Sequence, residues 1–286
     1  MKNISLVISC GGAKGLVGVG VIEELERRGF NIKSVAGTSI GSVILGIYAS
    51  GNLQEYKKWM LKQGRIDIFR MMDFTIDKRG IIKGKKVFDE MRPFFKDSLI
   101  ENLPIPYCAV AADINTFEEV VFKKGSLHKA IRSSISVPSL ITPVVTEDKV
   151  LVDGGLVNPL PLSRVQRTKD DILVAVNLNY YDSNYEKDIP QYSLDYPIIN
   201  KMLNYFSSSS KKEDAGNMVN FLNKTVYVMM SQLSKNSIDK YKPDILINIP
   251  YNICGFFDYH KTSELIEYGV KKTSQILDEK LSLYNN

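Results

Sequence analysis

Gly37-Thr38-Ser39-Ile40-Gly41 is a G-x-S-x-G set between the apolar run Ile32 to Ala36, which reads as a buried strand, and a helical pattern that continues to Ala49. Gly37 and Gly41 permit a tight strand-to-helix turn that presents the serine hydroxyl at a sheet edge, near a helix N-terminus, the setting in which serine acts as a nucleophile. A nucleophilic serine also needs donors for the oxyanion that forms on its substrate. Gly11-Gly12-Ala13-Lys14-Gly15 supplies a glycine-rich turn after the neighbouring strand, where backbone N–H groups can approach a ligand because no side chain intervenes. A phosphate-binding loop is the rival reading of this turn. It lacks the G-x-x-x-x-G-K-[ST] pattern, and Gly18-Val19-Gly20 falls inside a helix with no third glycine in register.

The base is harder to find, because the chain has only two histidines, His128 and His260. The order Ser39, Asp153, His260 mimics an α/β-hydrolase, yet in that fold the elbow follows several strands and here it follows the second. His260 is expected at the start of a closing helix, and His128 at a helix start or on the surface. Asp153 ends the strand-like Val150-Leu151-Val152 and precedes Gly154-Gly155, so its carboxylate can sit at the same strand-end edge as Ser39. The same Asp-Gly pair also suits a hairpin turn. Residue types alone leave the base open.

The elements that must position these groups follow a simple pattern. Ile4 to Ile8 is a strand-like run ended by Gly11-Gly12, a helix from about Leu16 to Arg28 follows, and Gly29 closes it; Gly51 closes the second helix in the same way. This opening predicts a parallel sheet covered by helices. Further strands are expected at Pro106 to Ala112, Glu119 to Phe122, Lys149 to Val152, Ile172 to Leu178 and Asp244 to Ile249, with helices at Ser126 to Ser133 and Thr262 to Leu281. Tyr56 to Lys86 and Tyr180 to Tyr241 fit the sheet less well and are read as helical or lid segments, with Ser207 to Ser210 in an exposed mobile loop.

Composition sets outer limits. With 286 residues, 44% hydrophobic and 24% charged, the chain is an ordinary globular one, not disordered, collagenous or coiled-coil. The 37 Lys+Arg exceed the 32 Asp+Glu by a formal charge of +5, too small and dispersed to indicate nucleic acid but compatible with anionic lipid. Cys10, Cys108 and Cys254 are too far apart for a disulfide framework or zinc site, which predicts a reducing, cytoplasmic compartment. No run approaches the about 18 apolar residues needed to span a bilayer, and Ile4 to Ile8 is shorter than an export segment.

Taken in order, Gly11-Gly12-Ala13-Lys14-Gly15, Gly37-Thr38-Ser39-Ile40-Gly41 and Asp153-Gly154-Gly155 resemble the motifs of the patatin-like phospholipase family. The resemblance continues through Arg132-Ser133-Ser134-Ile135-Ser136-Val137-Pro138, Leu156 to Pro161, and Phe257-Asp258 leading into Leu265 to Gly269; it is weakest over Tyr56 to Asn102 and Tyr180 to Tyr241. It implies one domain over residues 1–286, with 52–102 and 180–242 as variable segments, on a three-layer α/β/α fold with a mainly parallel central sheet. It further implies a Ser-Asp dyad without histidine that hydrolyses lipid acyl esters and needs no cofactor or metal. The nucleophile then falls on Ser39, its base on Asp153, and the oxyanion donors on the N–H groups of Gly11, Gly12 and Ala13. Lys14 stands where the family has Arg or Lys, to steady the loop or meet a phosphate. Cys10 replaces a glycine of many relatives.

The expected substrate is a phospholipid or another acyl ester. The alternatives are an esterase or thioesterase on soluble acyl compounds, and a lipid-binding regulatory protein with vestigial activity. Tyr56 to Phe74 interleaves apolar residues with Lys57, Lys58, Lys62, Arg65 and Arg70, a pattern for shallow insertion into an anionic bilayer, although a lid helix packed on the core is the favoured reading. Ile198 to Phe206 has the spacing of another amphipathic helix.

Overall fold

The computed structural model describes residues 2–77, 80–95, 98–182 and 212–284. The opening pattern folds as its periodicity dictates: β1 (Lys2–Ile8), a 3-10 turn over Gly12–Leu16, α1 (Val17–Arg27), β2 (Phe30–Thr38) and α2 (Ile40–Ala49). After these come α3 (Leu53–Met60), α4 (Arg65–Met71), β3 (Phe74–Asp77), β4 (Gly80–Ile82) and α5 (Lys85–Phe95). The chain then returns to the sheet with β5 (Tyr107–Asp113) and β6 (Glu118–Phe122), and continues through α6 (Leu127–Ser134), β7 (Ser139–Ile141), β8 (Val144–Val145) and β9 (Val150–Asp153). The remaining elements are β10 (Ile172–Tyr180), α7 (Lys212–Tyr241), β11 (Ile245–Pro250) and α8 (Thr262–Tyr284).

The main sheet has the order β11-β10-β1-β2-β5-β9-β8, with β6 also paired to β5. The pairings among β11, β10, β1, β2 and β5 are parallel, and those of β9 with β5 and β8 are antiparallel. Period-2 alternation divides the strands between two cores. Ile4, Leu6 and Ile8 of β1 and Val174 and Val176 of β10 face the larger one, which α1, α2, α6 and α8 cover. Val7, Leu173 and Ala175 face the other, closed by Leu160, Leu162, Val165 and, from α7, Ile238. The result is the expected three-layer α/β/α arrangement.

Strand order fixes where chemistry can occur. The chain leaves β1 for β2 on one side, while β10 returns on the other, so a crevice opens at the C-terminal edge of β1. Gly11-Gly12 follows β1 and Ser39 follows β2, which places both at that edge. Asp153 reaches it from β9, where it pairs with Ala111 of β5.

One expectation changes. The stretch Tyr56 to Lys86 is helical only through α4; it then forms β3 and β4, which join β7 in a separate three-stranded sheet. These strands have three or four residues, too short for alternation to separate them from an amphipathic helix. The end of Tyr180 to Tyr241 is helical as expected, in α7, whereas the serine run and Ile198 to Phe206 lie outside the described residues. Among the described residues no helix is long and apolar enough to cross a membrane.

Candidate active site

Ser39 lies on the sharp turn between β2 and α2 with φ 56° and ψ −127°, a left-handed conformation that costs a non-glycine residue of order 1–3 kcal/mol. The turn closes because Gly37 and Gly41 pack backbone to backbone: a Cβ on Gly37 would meet the Gly41 carbonyl carbon at 2.4 Å, and one on Gly41 would meet Ile8 O at 2.2 Å. The Ser39 carbonyl accepts from the Ser42 N–H at 2.9 Å and the Ser42 hydroxyl at 2.6 Å. Its N–H donates to Ser134 Oγ at 2.8 Å, and Ser134 Oγ donates in turn to Val110 O at 2.6 Å.

Asp153 closes β9, and its N–H donates to Ser136 O at 2.9 Å. No hairpin follows; Gly154–Leu156 forms a 3-10 turn, and the Gly155 N–H donates to Asp153 Oδ1 at 2.7 Å. Burial raises the Asp153 carboxyl to about 6, against the lowering influence of the Ser39 hydroxyl and the Gly155 N–H. The Ser39 side chain therefore faces this carboxylate, yet Oδ2 is buried without a closed hydrogen bond of normal geometry. A pair this close that tightens only when substrate arrives is common in unliganded hydrolases.

The stretch formed by the end of α6 and the residues just after it thus holds both residues by their backbones, Ser134 taking Ser39 and Ser136 taking Asp153. Arg132 anchors it, donating to Ser136 Oγ at 2.6 Å and to the carbonyls of Lys83 and Thr142 at 2.9 Å each. Sequence reasoning placed this stretch in the resemblance without seeing its task. Ser134→Ala strips partners from two buried groups, the Ser39 N–H and Val110 O. Steady-state kinetics and thermal melting should show kcat lowered roughly tenfold, KM within twofold, and Tm lowered by about 3–6 °C.

The glycine loop sits beside Ser39, with a hypothetical Cβ on Gly15 only 2.1 Å from Ile40 Cγ1. Gly12 has φ 58°, and a Cβ there would fall 2.6 Å from Phe256 Cδ2 and 2.8 Å from Phe256 O. Gly12→Ala should consequently displace the loop. The expected result is a loss of at least 100-fold in kcat, measured beside a circular-dichroism spectrum that stays α/β. The expectation for Ala13 is corrected: its N–H donates to Phe256 O at 2.9 Å and is not available to an oxyanion, whereas the N–H groups of Gly11 and Gly12 form no such bond among the described residues. Lys14 is buried, donates to Tyr251 O at 2.9 Å and lies 4.9 Å from the centre of the Tyr227 ring. Burial lowers its ammonium to about 8. It braces the segment that carries Phe256 against the glycine loop, in keeping with the steadying role and not with a headgroup contact.

The histidines stand apart. His128 packs edge-on against Phe88 with centroids 5.2 Å apart, and His260 lies in a 3-10 turn immediately before α8. Cys10, Cys108 and Cys254 are buried free thiols. Cys10 lies beside Asp153, with its Sγ 3.5 Å from Met230 Sδ.

Ser39 and Gly12 border one end of a cavity of about 130 Å³. Its walls come from α2, α3, α4, α5, β4, β7 and the loop at Phe256-Phe257, and include Val43, Trp59, Ile68, Met71, Met91 and Ile141; among the described residues no charged side chain lines it. An apolar cavity bordered by the Ser39 hydroxyl and Gly12 can hold an alkyl chain with its ester at the serine.

The family model described as Patatin-like phospholipase matches residues 6–165, more than half of the chain. The chain belongs to that family. It is similar to an uncharacterized NTE family protein of Mycobacterium tuberculosis, 28% identical over 96% of this chain and 91% of the relative. A lysophospholipase of Kluyveromyces lactis is 27% identical over 94% of this chain, which spans 19% of that longer protein. Among solved structures, VipD from Legionella pneumophila shares the fold with a TM-score of 0.51 and 15% identity, over 97% of this chain and 67% of VipD. Membership carries a hydrolase acting on lipid esters.

Proposed function

We propose that the chain is a lipid acyl hydrolase of the phospholipase A or lysophospholipase type, working through Ser39 and Asp153 by way of an acyl-enzyme. The observation that carries this reading is that Ser39, which lines an apolar cavity, faces the buried Asp153 carboxylate. An aspartate at its ordinary pKa of about 3.9 is a weak base near neutrality; one held at about 6 is far better matched to the task.

In the acylation step Ser39 Oγ bonds to the ester carbonyl carbon as its proton passes to Asp153. The carbonyl oxygen becomes an oxyanion held by the Gly11 and Gly12 N–H groups. Collapse of the tetrahedral species breaks the carbon–oxygen bond to the alcohol, which leaves with the proton from Asp153. Water then attacks the acyl-serine, giving its proton to Asp153, and the fatty acid departs as Ser39 regains a proton. No histidine and no metal enters this sequence, and the surface next to the cavity meets lipid aggregates peripherally.

Hydrolysis of micellar lysophospholipid, vesicular phospholipid and a water-soluble short-chain ester by the same preparation tests the reading. A rate that rises when substrate aggregates supports it. Turnover of the soluble ester alone would replace it by a soluble esterase or thioesterase, and turnover of none by a lipid-binding protein.

A further inference from the structure

The wall between the apolar cavity and the outside is one helix thick at α4. Ile68 and Met71 line the cavity, while Ile66 on the opposite side is 66% exposed, and Arg70, one turn further on, has 75% of its side chain exposed. In the preceding turn Leu61 is 47% exposed, next to an exposed Lys62. A seven-residue helix with apolar side chains on both faces is half explained by the cavity. Its outer face has no described partner. Between Lys57 and Arg70 the sequence has five cations, Lys57, Lys58, Lys62, Arg65 and Arg70, and one acid, Asp67; Lys57 is paired with Glu23 of α1 at 2.8 Å. Lys58, Lys62 and Arg65 make no ion pair among the described residues, and the Arg70–Asp67 pair is long, at 3.8 Å. Two protruding aliphatic side chains ringed by uncompensated positive charge form the chemistry of an anionic membrane surface: the charges are drawn to lipid phosphates while the aliphatic groups enter the acyl boundary.

We infer that the outer face of Leu61 to Arg70 docks on an anionic lipid bilayer, with Leu61 and Ile66 inserted, and so sets the wall of the cavity against the lipid that supplies its substrate. The inference rests on the lipid-hydrolase reading for its purpose but not for its test. The charge pattern selects a bilayer over a protein groove, because Lys58, Lys62 and Arg65 flank the aliphatic pair without an ion-pair partner among the described residues.

The probe is flotation with vesicles of ether-linked phosphatidylglycerol and phosphatidylcholine, which contain no carboxylic ester to cleave, beside vesicles of ether-linked phosphatidylcholine alone. The wild type should float with the anionic vesicles and at least tenfold less with the neutral ones, and the binding should weaken as salt is raised. Ile66→Asp, and separately Lys62→Glu with Arg65→Glu, should each lower anionic-vesicle binding at least tenfold while leaving hydrolysis of a water-soluble short-chain ester within twofold of wild type. That soluble assay also shows that the variants are folded. Equal binding by wild type and both variants, equal binding to the two vesicle compositions, or absence of binding to either would overturn the inference. If the wild type fails on the soluble ester, the Ser39–Asp153 reading is what fails, and flotation still decides the surface.

Discussion

Ser39→Ala should lower kcat for ester hydrolysis by roughly 10³ or more without unfolding the chain. The loss is chemical, since the hydroxyl is the atom that bonds to the acyl carbon and nothing else bordering the polar end of the cavity can take its place. Retention of the fold follows from how the residue is held. Its N–H is bonded to Ser134 and its carbonyl to Ser42, and neither contact uses the Ser39 side chain. Alanine at φ 56° bears the same backbone cost as serine, so no new strain enters. Circular dichroism and thermal melting beside the kinetics distinguish a dead site from a dead fold. An unchanged kcat would place the chemistry on another residue.

Asp153→Asn should abolish activity to a similar degree, roughly 10³-fold or more, while raising stability near neutral pH. The sign follows from linkage. The folded carboxyl titrates at about 6 and its reference value is 3.8, so between those values the native state binds more protons than the unfolded one. Stability is therefore lost as pH rises through this window, and the full cost of a buried charge, at most roughly 3 kcal/mol for about two pKa units, is present above it. Asparagine has no charge to bury and keeps an oxygen for the Gly155 N–H. The Tm of the variant should exceed that of wild type at about pH 7, and the gap should close below about pH 4. The same titration gives the wild type an acid limb in kcat/KM near 6, rising with pH because the base must be ionised. His260→Ala and His128→Ala should leave that limb in place. A limb that disappears with either histidine would transfer the base to it.

Much of this architecture is legible in the sequence, for a physical reason. The run from Ile4 to Ala49 alternates apolar strand, glycine turn and amphipathic helix, and each signal is local, so β1, α1, β2 and α2 appear where periodicity puts them. Ser39 and the glycine loop are visible for the same reason. Asp153 is visible only as a residue type at a strand end; its raised pKa comes from burial, which no tripeptide encodes. The Ala13 N–H is bonded to Phe256 O, an atom more than two hundred residues along the chain, so its loss as a donor leaves no trace near the motif. Ser134 is silent in the same sense: a hydroxyl that receives an N–H from 95 residues away has no periodic signature. The small sheet of β3, β4 and β7, which gives the cavity Ile82 and Ile141, is hidden because strands of three or four residues carry too few alternations to be told from a helix.

The central claim is that Ser39 is a nucleophile activated by Asp153. Fluorophosphonate labelling followed by mass mapping, run on wild type and on Asp153→Asn, tests it most directly, because the reagent bonds only to an activated hydroxyl and needs no guess at the natural lipid. The account predicts a single adduct on Ser39 in the wild type and none on the same time scale in the folded variant. An adduct on a different serine, or equal labelling of Ser39 in both proteins, would contradict it.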